Sequence, residues 1–224
     1  MSSSSSSSIQ ITLRLPSRYT NPSSSSSLGK PKLINPPPLS FLHRTWTVTH
    51  STLSMWRSSR NVRITYGALS ANPNQPERMT DLVQHEPIFK GDDNEEVRKR
   101  KGSVKRIRGV DTVSLRDENN TSTLSWDWRG SGWLFWIGSH WEVLGWGEKV
   151  VEGEVVERWA VTWFEQTWVT EEGIDVYSDR KEGGSEEVVR AIMEELRRVC
   201  KGQGRLEGIV GKMRSVEVRL PWLE

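Results

Sequence analysis

The histidines and the single cysteine are the residues of this chain best suited to metal binding or acid–base chemistry. The histidines are His43, His50, His85 and His140. They form no H-x-H or H-x-x-x-H pair, the spacings at which two imidazoles share a metal ion. His140 could act as an axial haem ligand or an acid–base group, although a histidine in a turn is the favoured interpretation. Cys200 can neither close a disulfide within the chain nor hold zinc alone. The sequence therefore predicts no metal site, no cofactor and no catalytic residue.

Carboxylates facing an apolar interior would be the other source of proton chemistry. Desolvation raises the pKa of a buried carboxyl, and Glu142 or Glu165 would experience this if either side chain pointed inward. Neither has a second carboxylate at a spacing that would make a pair. The sequence leaves open whether the protein is an enzyme and favours a protein that is not one.

Tryptophan dominates the second half of the chain. Nine of the twelve tryptophans fall between Trp126 and Trp168, and most alternate with other residues. Successive side chains on a strand point to opposite faces, so this alternation predicts half-buried antiparallel strands. The rings would either fill a core or line a cavity for a flat apolar molecule. One bulge would reverse which parity points inward, so the sequence leaves that choice open.

Charge is distributed unevenly along the chain. The first acidic residue is Glu77, so residues 1–76 carry only basic and neutral groups. Residues 98–108 carry seven basic groups, which could form a nuclear-localisation signal or a phosphate-binding patch, although a solvated loop beside nearby acids is favoured. The net charge of +2 averages a basic head and a mildly acidic body, and does not argue for binding of nucleic acid.

The chain divides into a tail and one domain. Residues 1–43 hold the runs Ser2–Ser8, Ser23–Ser27 and Pro36–Pro38 and are predicted to be disordered. Such an acid-free head also resembles an organellar transit peptide, although an inert disordered tail is favoured. The cytoplasm is therefore the expected location, and a mitochondrial or plastid matrix is the alternative. Residues 44–224 form the folded domain, and no run reaches the roughly 20 apolar residues of a membrane span.

Alternation and turn residues predict a series of strands followed by one helix. The predicted strands are Thr45–Ser51, Val62–Leu69, Val104–Leu115, Thr123–Trp128, Gly132–Gly138, Trp141–Trp146, Val155–Glu165, Gly173–Tyr177 and Val216–Leu220. Residues 70–103 are predicted to be a long charged excursion holding at most a short strand. The helix is predicted over Glu186–Lys201, with Ser185 as its N-cap and an apolar stripe of Val189, Ile192, Leu196 and Val199.

Two segments resemble the lipocalin family. Arg44–Leu69 (RTWTVTHSTLSMWRSSRNVRITYGAL) is similar to the first lipocalin hairpin, with Trp46 at the signature position and Tyr66 closing the second strand. Arg158–Val199 (RWAVTWFEQTWVTEEGIDVYSDRKEGGSEEVVRAIMEELRRV) is similar to the last barrel hairpin, linker and helix. Two positions depart from the pattern. Arg44 replaces the motif glycine, and Asp179 stands where lipocalins place an arginine over the signature tryptophan, with Arg180 one residue further on.

The resemblance implies an all-β antiparallel up-and-down barrel of about eight strands, with one C-terminal helix packed on it and a final strand. It also implies binding of a small hydrophobic molecule of the fatty acid, isoprenoid or tetrapyrrole class. The candidate ligand-binding residues are Trp46, His50, Tyr66, Trp126, Trp128, Trp133, Trp136, Trp159 and Trp163. Two alternatives stay open: a barrel enzyme, such as an isomerase or cyclase acting on a lipid-derived substrate, and a filled barrel that serves as a protein-interaction module.

Overall fold

The domain is a closed antiparallel β-barrel. The computed structural model describes residues 9–20, 34–70, 75–89, 96, 103–114 and 123–223. Its strands are β1 (Thr45–Ser51), β2 (Ser59–Ala68), β3 (Arg78–Pro87), β4 (Lys105–Val113), β5 (Ser125–Gly130), β6 (Gly138–Val151), β7 (Glu154–Phe164), β8 (Gly173–Ser178) and β9 (Arg214–Ser215). Strands β2 to β8 pair in chain order, and β1 pairs with both β8 and β2. This closes eight strands into a barrel and confirms the predicted fold class.

Three short helices accompany the barrel in the described part of the chain. They are α1 (Leu39–Leu42), α2 (Glu186–Cys200) and α3 (Arg205–Gly211), and single 3₁₀ turns occur at Ser17–Tyr19, Ser54–Ser58 and Gly132–Leu134. The prediction of α2 is confirmed, and Gly202 follows it with φ 77°. The buried stripe of α2 is Val188, Ile192, Leu196 and Cys200. It runs at intervals of four residues, one position away from the stripe predicted at Val189 and Val199.

Several predicted strand limits need correction. Strand β3 is ten residues long and lies in the segment expected to be an excursion. The predicted strand Gly132–Gly138 is wrong, because residues 132–134 form a 3₁₀ turn that connects β5 to β6. The expected strand Val216–Leu220 is also replaced: β9 covers only two residues and pairs with the end of β1. Alternation of apolar residues does not distinguish a strand from a loop whose apolar residues are exposed.

The barrel wall is covered by apolar groups on both faces. One hydrophobic cluster fills the interior and includes Trp46, Val62, Tyr66, Trp126 and Trp141. A second cluster lies outside, between β6–β8 and the helices, and includes Trp159, Trp163, Ile174, Ile192 and Leu206. Strands covered on both faces place apolar residues at both parities.

Residues 9–20 of the predicted tail pack on the outside of the barrel. Ile11 and Leu13 are buried in the outer cluster, and the Arg14 amide donates to the Leu144 carbonyl at 2.8 Å. Residues 34–43 pack at one end of the barrel, where Phe41 and Leu42 join the interior cluster. The serine runs lie outside the described residues.

The two ends of the barrel differ. Consecutive antiparallel strands turn at alternate ends, so the connections 52–58, 131–137 and 165–172 lie at one end, here called the long-loop end, together with residues 88–89 after β3 and 103–104 before β4. At the other end α1 covers the interior. The Trp46 indole Nε1 donates to the Leu42 carbonyl at 3.1 Å, and the Phe41 and Trp146 rings lie 4.7 Å apart.

Candidate functional site

Part of the barrel interior is filled by stacked aromatic rings from β2, β5 and β6. The Tyr66 and Trp141 rings stack with centroids 5.6 Å apart and planes at 11°. Trp126 also stacks on Trp141, with centroids 5.9 Å apart and planes at 15°. All three side chains are buried, and Trp126 is 0% exposed. This packing stabilises the barrel and leaves that part of the interior to protein side chains.

Towards the long-loop end the inward-facing side chains become accessible. Val83 and Ile107 stand opposite each other on β3 and β4, and Trp128 and Phe164 pack on the interior cluster from β5 and β7. All four are half-buried, whereas the stacked rings of Tyr66, Trp126 and Trp141 are buried. These four residues, the mouth wall, form an apolar surface that solvent reaches from the long-loop end.

A pair of carboxyl groups lies on the α1 side of Val83 and Ile107 along β3 and β4, with Asp111 opposite Trp128. Asp81 stands opposite Tyr66 and therefore faces the interior, and Asp111 lies two residues beyond Gly109, the β4 partner of Asp81. Diagonal neighbours on one face of a sheet are roughly 7–8 Å apart. The Trp141 Nε1 donates to Asp111 Oδ1 at 2.8 Å. The second oxygen, Asp111 Oδ2, and Asp81 Oδ1 are buried without a hydrogen-bond partner among the described residues.

Burial raises the pKa of these carboxyl groups, so they stay protonated at pH values at which an exposed aspartate is ionised. Desolvation raises the pKa of Asp111 to about 7, although the Trp141 hydrogen bond acts to lower it. Desolvation and the neighbouring Asp111 raise the pKa of Asp81 well above its ordinary value. A third inward carboxyl, Asp175, has its pKa raised by burial to about 7 while it accepts a hydrogen bond from Ser51. These groups can therefore donate hydrogen bonds and exchange protons near neutral pH.

The structure separates the predicted ligand-binding residues into three groups. Trp46, Tyr66, Trp126 and Trp128 belong to the interior cluster. Trp159 and Trp163 lie in the outer cluster beneath α2. Trp133 and Trp136 are exposed in the β5–β6 connection, and His50 pairs with Val176, a residue of the outer cluster. A register shift between Val48 and His50 carries His50 to the outer face.

His140 and Glu142 lie on the outer wall and not in the interior. His140 is in strand β6, so its expected place in a turn is wrong, and its Nδ1 lies 2.8 Å from Asp127 Oδ1. Glu142 stands opposite Trp163, and its neighbour Trp141 points inward. Burial would raise the pKa of Glu142, but His140, Arg14 and Ser17 lower it to about 2. Glu142 is thus an ionised anchor for the N-terminal segment.

Three residues of this site, Trp141, Asp81 and Asp111, are not among the candidates that the sequence predicts. Trp141 belonged to the tryptophan series but was not assigned a face. Asp81 lay in the segment expected to be an excursion, and Asp111 is 30 positions further along, so only the β3–β4 pairing relates them. A single aspartate at the apolar parity of an alternating segment, as Asp81 stands between Met79 and Val83, is the signal that could have identified them.

The described residues contain neither a metal-binding cluster nor a helix that could span a membrane. No three His, Cys, Asp or Glu side chains within the described ranges converge so that they could hold a metal ion. None of the helices in that part of the chain combines the length and apolar character needed to cross a membrane.

Comparison with known proteins gives structural matches alone. No family model matches the chain, and no curated protein sequence matches it. Among solved structures, the chain is similar to the siderocalin Ex-FABP, described as functioning through dual ligand specificities. The two share 10% identity with a TM-score of 0.45, over 81% of this chain and 96% of that one. The closed eight-stranded barrel with a helix after its last strand is a lipocalin-like fold.

Proposed function

We propose that the barrel binds a small hydrophobic molecule between the mouth wall and the carboxyl pair Asp81–Asp111. The observation that carries this proposal is the order in which two kinds of surface follow one another inside the barrel. An accessible apolar wall leads to buried polar oxygens that lack partners among the described residues. Lipocalin-like barrels of eight strands are wide enough for one such ligand.

The apolar wall supplies the affinity in this proposal. Transfer of apolar surface from water stabilises a complex by about 25 cal/mol per Å². Val83, Ile107, Trp128 and Phe164 offer such surface on four different strands. Trp128 packs closely on Gly109, which leaves its ring against the β4 backbone and not across the interior.

The carboxyl pair supplies selectivity. A buried polar atom without a partner costs about 1–3 kcal/mol, so a ligand that hydrogen-bonds to Asp81 or Asp111 removes that cost. Two acids with raised pKa values favour a hydroxyl or another neutral group and disfavour a second carboxylate. Of the ligand classes expected from the sequence, neutral isoprenoids therefore fit better than fatty acids.

Retinol and retinoic acid test this proposal, because they share an isoprenoid body and differ at the polar end. We expect retinol fluorescence to rise on binding at pH 7.5 and retinoic acid to displace it only weakly. Val83→Trp fills the mouth wall and should weaken retinol binding at least tenfold. Leu82→Trp, one residue away on the opposite face of β3, is the matched control and should bind retinol as the unmodified chain does. Absence of retinol binding, or equal binding by both variants, would overturn the proposal.

A second candidate function is supported by Asp111 alone. A carboxyl whose pKa is about 7 can both donate and accept a proton near neutral pH. This favours, as the alternative, an isomerase acting on the same class of ligand. Isomerisation of retinol, followed by chromatography, should then disappear in Asp111→Asn while retinol binding persists. If the unmodified chain binds retinol without forming isomers, the alternative fails for this substrate.

A further inference from the structure

The exposed aromatic side chains of the described chain gather at the long-loop end. The exposed aromatic residues are Phe89, Trp133, Phe135, Trp136 and Trp168, here called the aromatic rim. They come from three separate connections that meet at this end of the barrel. Trp133 is 79% exposed, Trp136 61% and Trp168 103%. Soluble domains seldom expose several large aromatic groups together without a binding role.

Two of these connections are turns fixed by hydrogen bonds, and the apolar residues at their tips point outward. In the β5–β6 connection, the Ser131 amide donates to the Arg108 carbonyl at 2.8 Å and the Phe135 amide to the Gly132 carbonyl at 3.2 Å. Gly132 adopts φ 64°, a conformation that favours glycine. The backbone is thereby fixed so that Trp133 and Trp136 point away from the barrel.

The β7–β8 connection shows the same construction. The Thr167 amide donates to the Thr170 carbonyl at 2.9 Å, and the two threonine hydroxyls lie 2.8 Å apart. Trp168 and Val169 are the two residues at the tip of this turn, and both are exposed. The threonine hydroxyls close the turn, and the Trp168 side chain at its tip is directed into solvent.

Basic groups surround the aromatic rim. Exposed side chains of Arg57, Lys105, Arg106, Arg108 and Arg129 belong to strand ends or connections at this end of the barrel. Arg129 Nη1 donates to the carbonyl of Phe135, which places its positive charge beside the rim.

The neighbouring acids are largely neutralised. Glu165 lies 3.7 Å from Arg18, and Glu172 lies 2.9 Å from Arg205. Asp127 contacts His140. Glu96 and Glu171 are exposed acids in the connections at this end, so among the described residues exposed basic side chains outnumber exposed acidic ones around the rim.

We propose that the long-loop end docks on an anionic lipid bilayer, with Trp133, Trp136 and Trp168 inserted at the level of the headgroups. Tryptophan prefers that depth because its ring is apolar and its N–H is polar. Basic side chains beside the rings are attracted to anionic lipid. Tips from separate turns suit a deformable lipid surface, and the shared positive charge opposes docking of a second copy of the chain. This goes beyond ligand binding and does not depend on it.

Vesicle flotation with the full chain tests the proposal. The probe is a pair of vesicle preparations, one of phosphatidylcholine alone and one with about a third phosphatidylserine. We expect binding to the anionic vesicles that falls as salt is raised. The triple variant Trp133→Ser, Trp136→Ser, Trp168→Ser should lose at least tenfold in partitioning. The matched control changes the three exposed valines of the β6–β7 hairpin at the opposite end, Val150→Ser, Val151→Ser and Val156→Ser, and should bind unchanged.

The charge and the depth of insertion have their own measurements. Arg106→Gln with Arg129→Gln should reduce the preference for anionic vesicles while the thermal transition stays where it is. Lipids brominated near the headgroup should quench tryptophan fluorescence in the unmodified chain and not in the triple variant. Failure of the chain to float with anionic vesicles, equal flotation of the triple variant, or a dimer in solution that the triple variant abolishes would each overturn the proposal.

Discussion

The guanidinium carbon of Arg44 lies 5.4 Å from the centroid of the Trp46 ring, and an Arg44 Nη1 lies 3.5 Å from Asp179 Oδ2. These two contacts explain both departures from the lipocalin pattern. The arginine that covers the signature tryptophan comes from the strand entry at Arg44, and Asp179, at the position where an arginine is usual, holds that guanidinium in place. An arginine–tryptophan contact is thus present at the α1 end, with the arginine supplied from a different position of the chain.

Replacement of Arg44 by alanine should destabilise the barrel. A cation over an aromatic ring contributes about 0.5–2 kcal/mol, so we expect Arg44→Ala to lower the free energy of unfolding by about 1–2 kcal/mol in urea titration. Arg198→Ala is the control, since the Arg198 side chain, which pairs with Glu195, is 66% exposed and its loss should cost less than about 0.5 kcal/mol. Equal losses in the two variants would contradict the role given to Arg44.

The ion pair of Arg14 and Glu142 predicts acid sensitivity. The two groups are 2.7 Å apart, with Glu142 buried, and the pKa of Glu142 is lowered to about 2. A carboxyl with a lowered folded pKa contributes stability above its unfolded value, and that contribution is lost as pH falls from about 4.5 to about 2. Glu142→Gln should therefore lower the free energy of unfolding at pH 7 on the order of 3 kcal/mol and by much less at pH 2.

Glu187→Gln provides the comparison for that experiment. Glu187 also forms an ion pair, with Lys149 at 2.7 Å, but the Glu187 side chain is 42% exposed. Solvent screening should keep its effect within about 0.5 kcal/mol at either pH. A pH-independent loss in Glu142→Gln would show that the carboxylate charge is not what anchors the segment.

Asp111 predicts the opposite pH dependence. Because its folded pKa is raised to about 7, the folded chain binds a proton that the unfolded chain releases above about pH 4. The free energy of unfolding therefore falls as pH rises through that window, by up to about 1.4 kcal/mol per pH unit. Asp111→Asn keeps an oxygen for the Trp141 indole and should be more stable than the unmodified chain at pH 8 but not at pH 5. Parallel pH profiles of thermal unfolding would contradict this.

Two glycines should respond to alanine with opposite signs. A methyl group on Gly109 would overlap the Trp128 indole and approach the Arg129 carbonyl oxygen to 2.8 Å. Gly109→Ala should therefore cost about 1–3 kcal/mol and weaken retinol binding. Gly208, within α3, has nothing within 4 Å of the added methyl, so Gly208→Ala should stabilise by about 0.5–1 kcal/mol. Calorimetric unfolding of both variants measures the contrast.

Alternation and turn chemistry determined the strands and the helix of this protein. Strand β1 and helix α2 follow from local patterns, because a strand alternates faces and a helix repeats on one. Strand β3 was not recognised, since its mixed polar sequence resembles a loop. The exposed turn at residues 132–134 was mistaken for a strand, since its aromatic residues alternate as buried ones do.

Only the tertiary structure decided which tryptophans face the interior. Trp141 and Trp146 both point inward although they are five residues apart, because the strand is irregular between Val143 and Gly145. Trp159 and Trp163 point outward and are equally buried, because α2 covers that face. Burial on both faces removes the difference between inner and outer residues that a sequence could display. The pairing of Asp81 with Asp111 likewise depends on the register of two strands, which is set by contacts between distant parts of the chain.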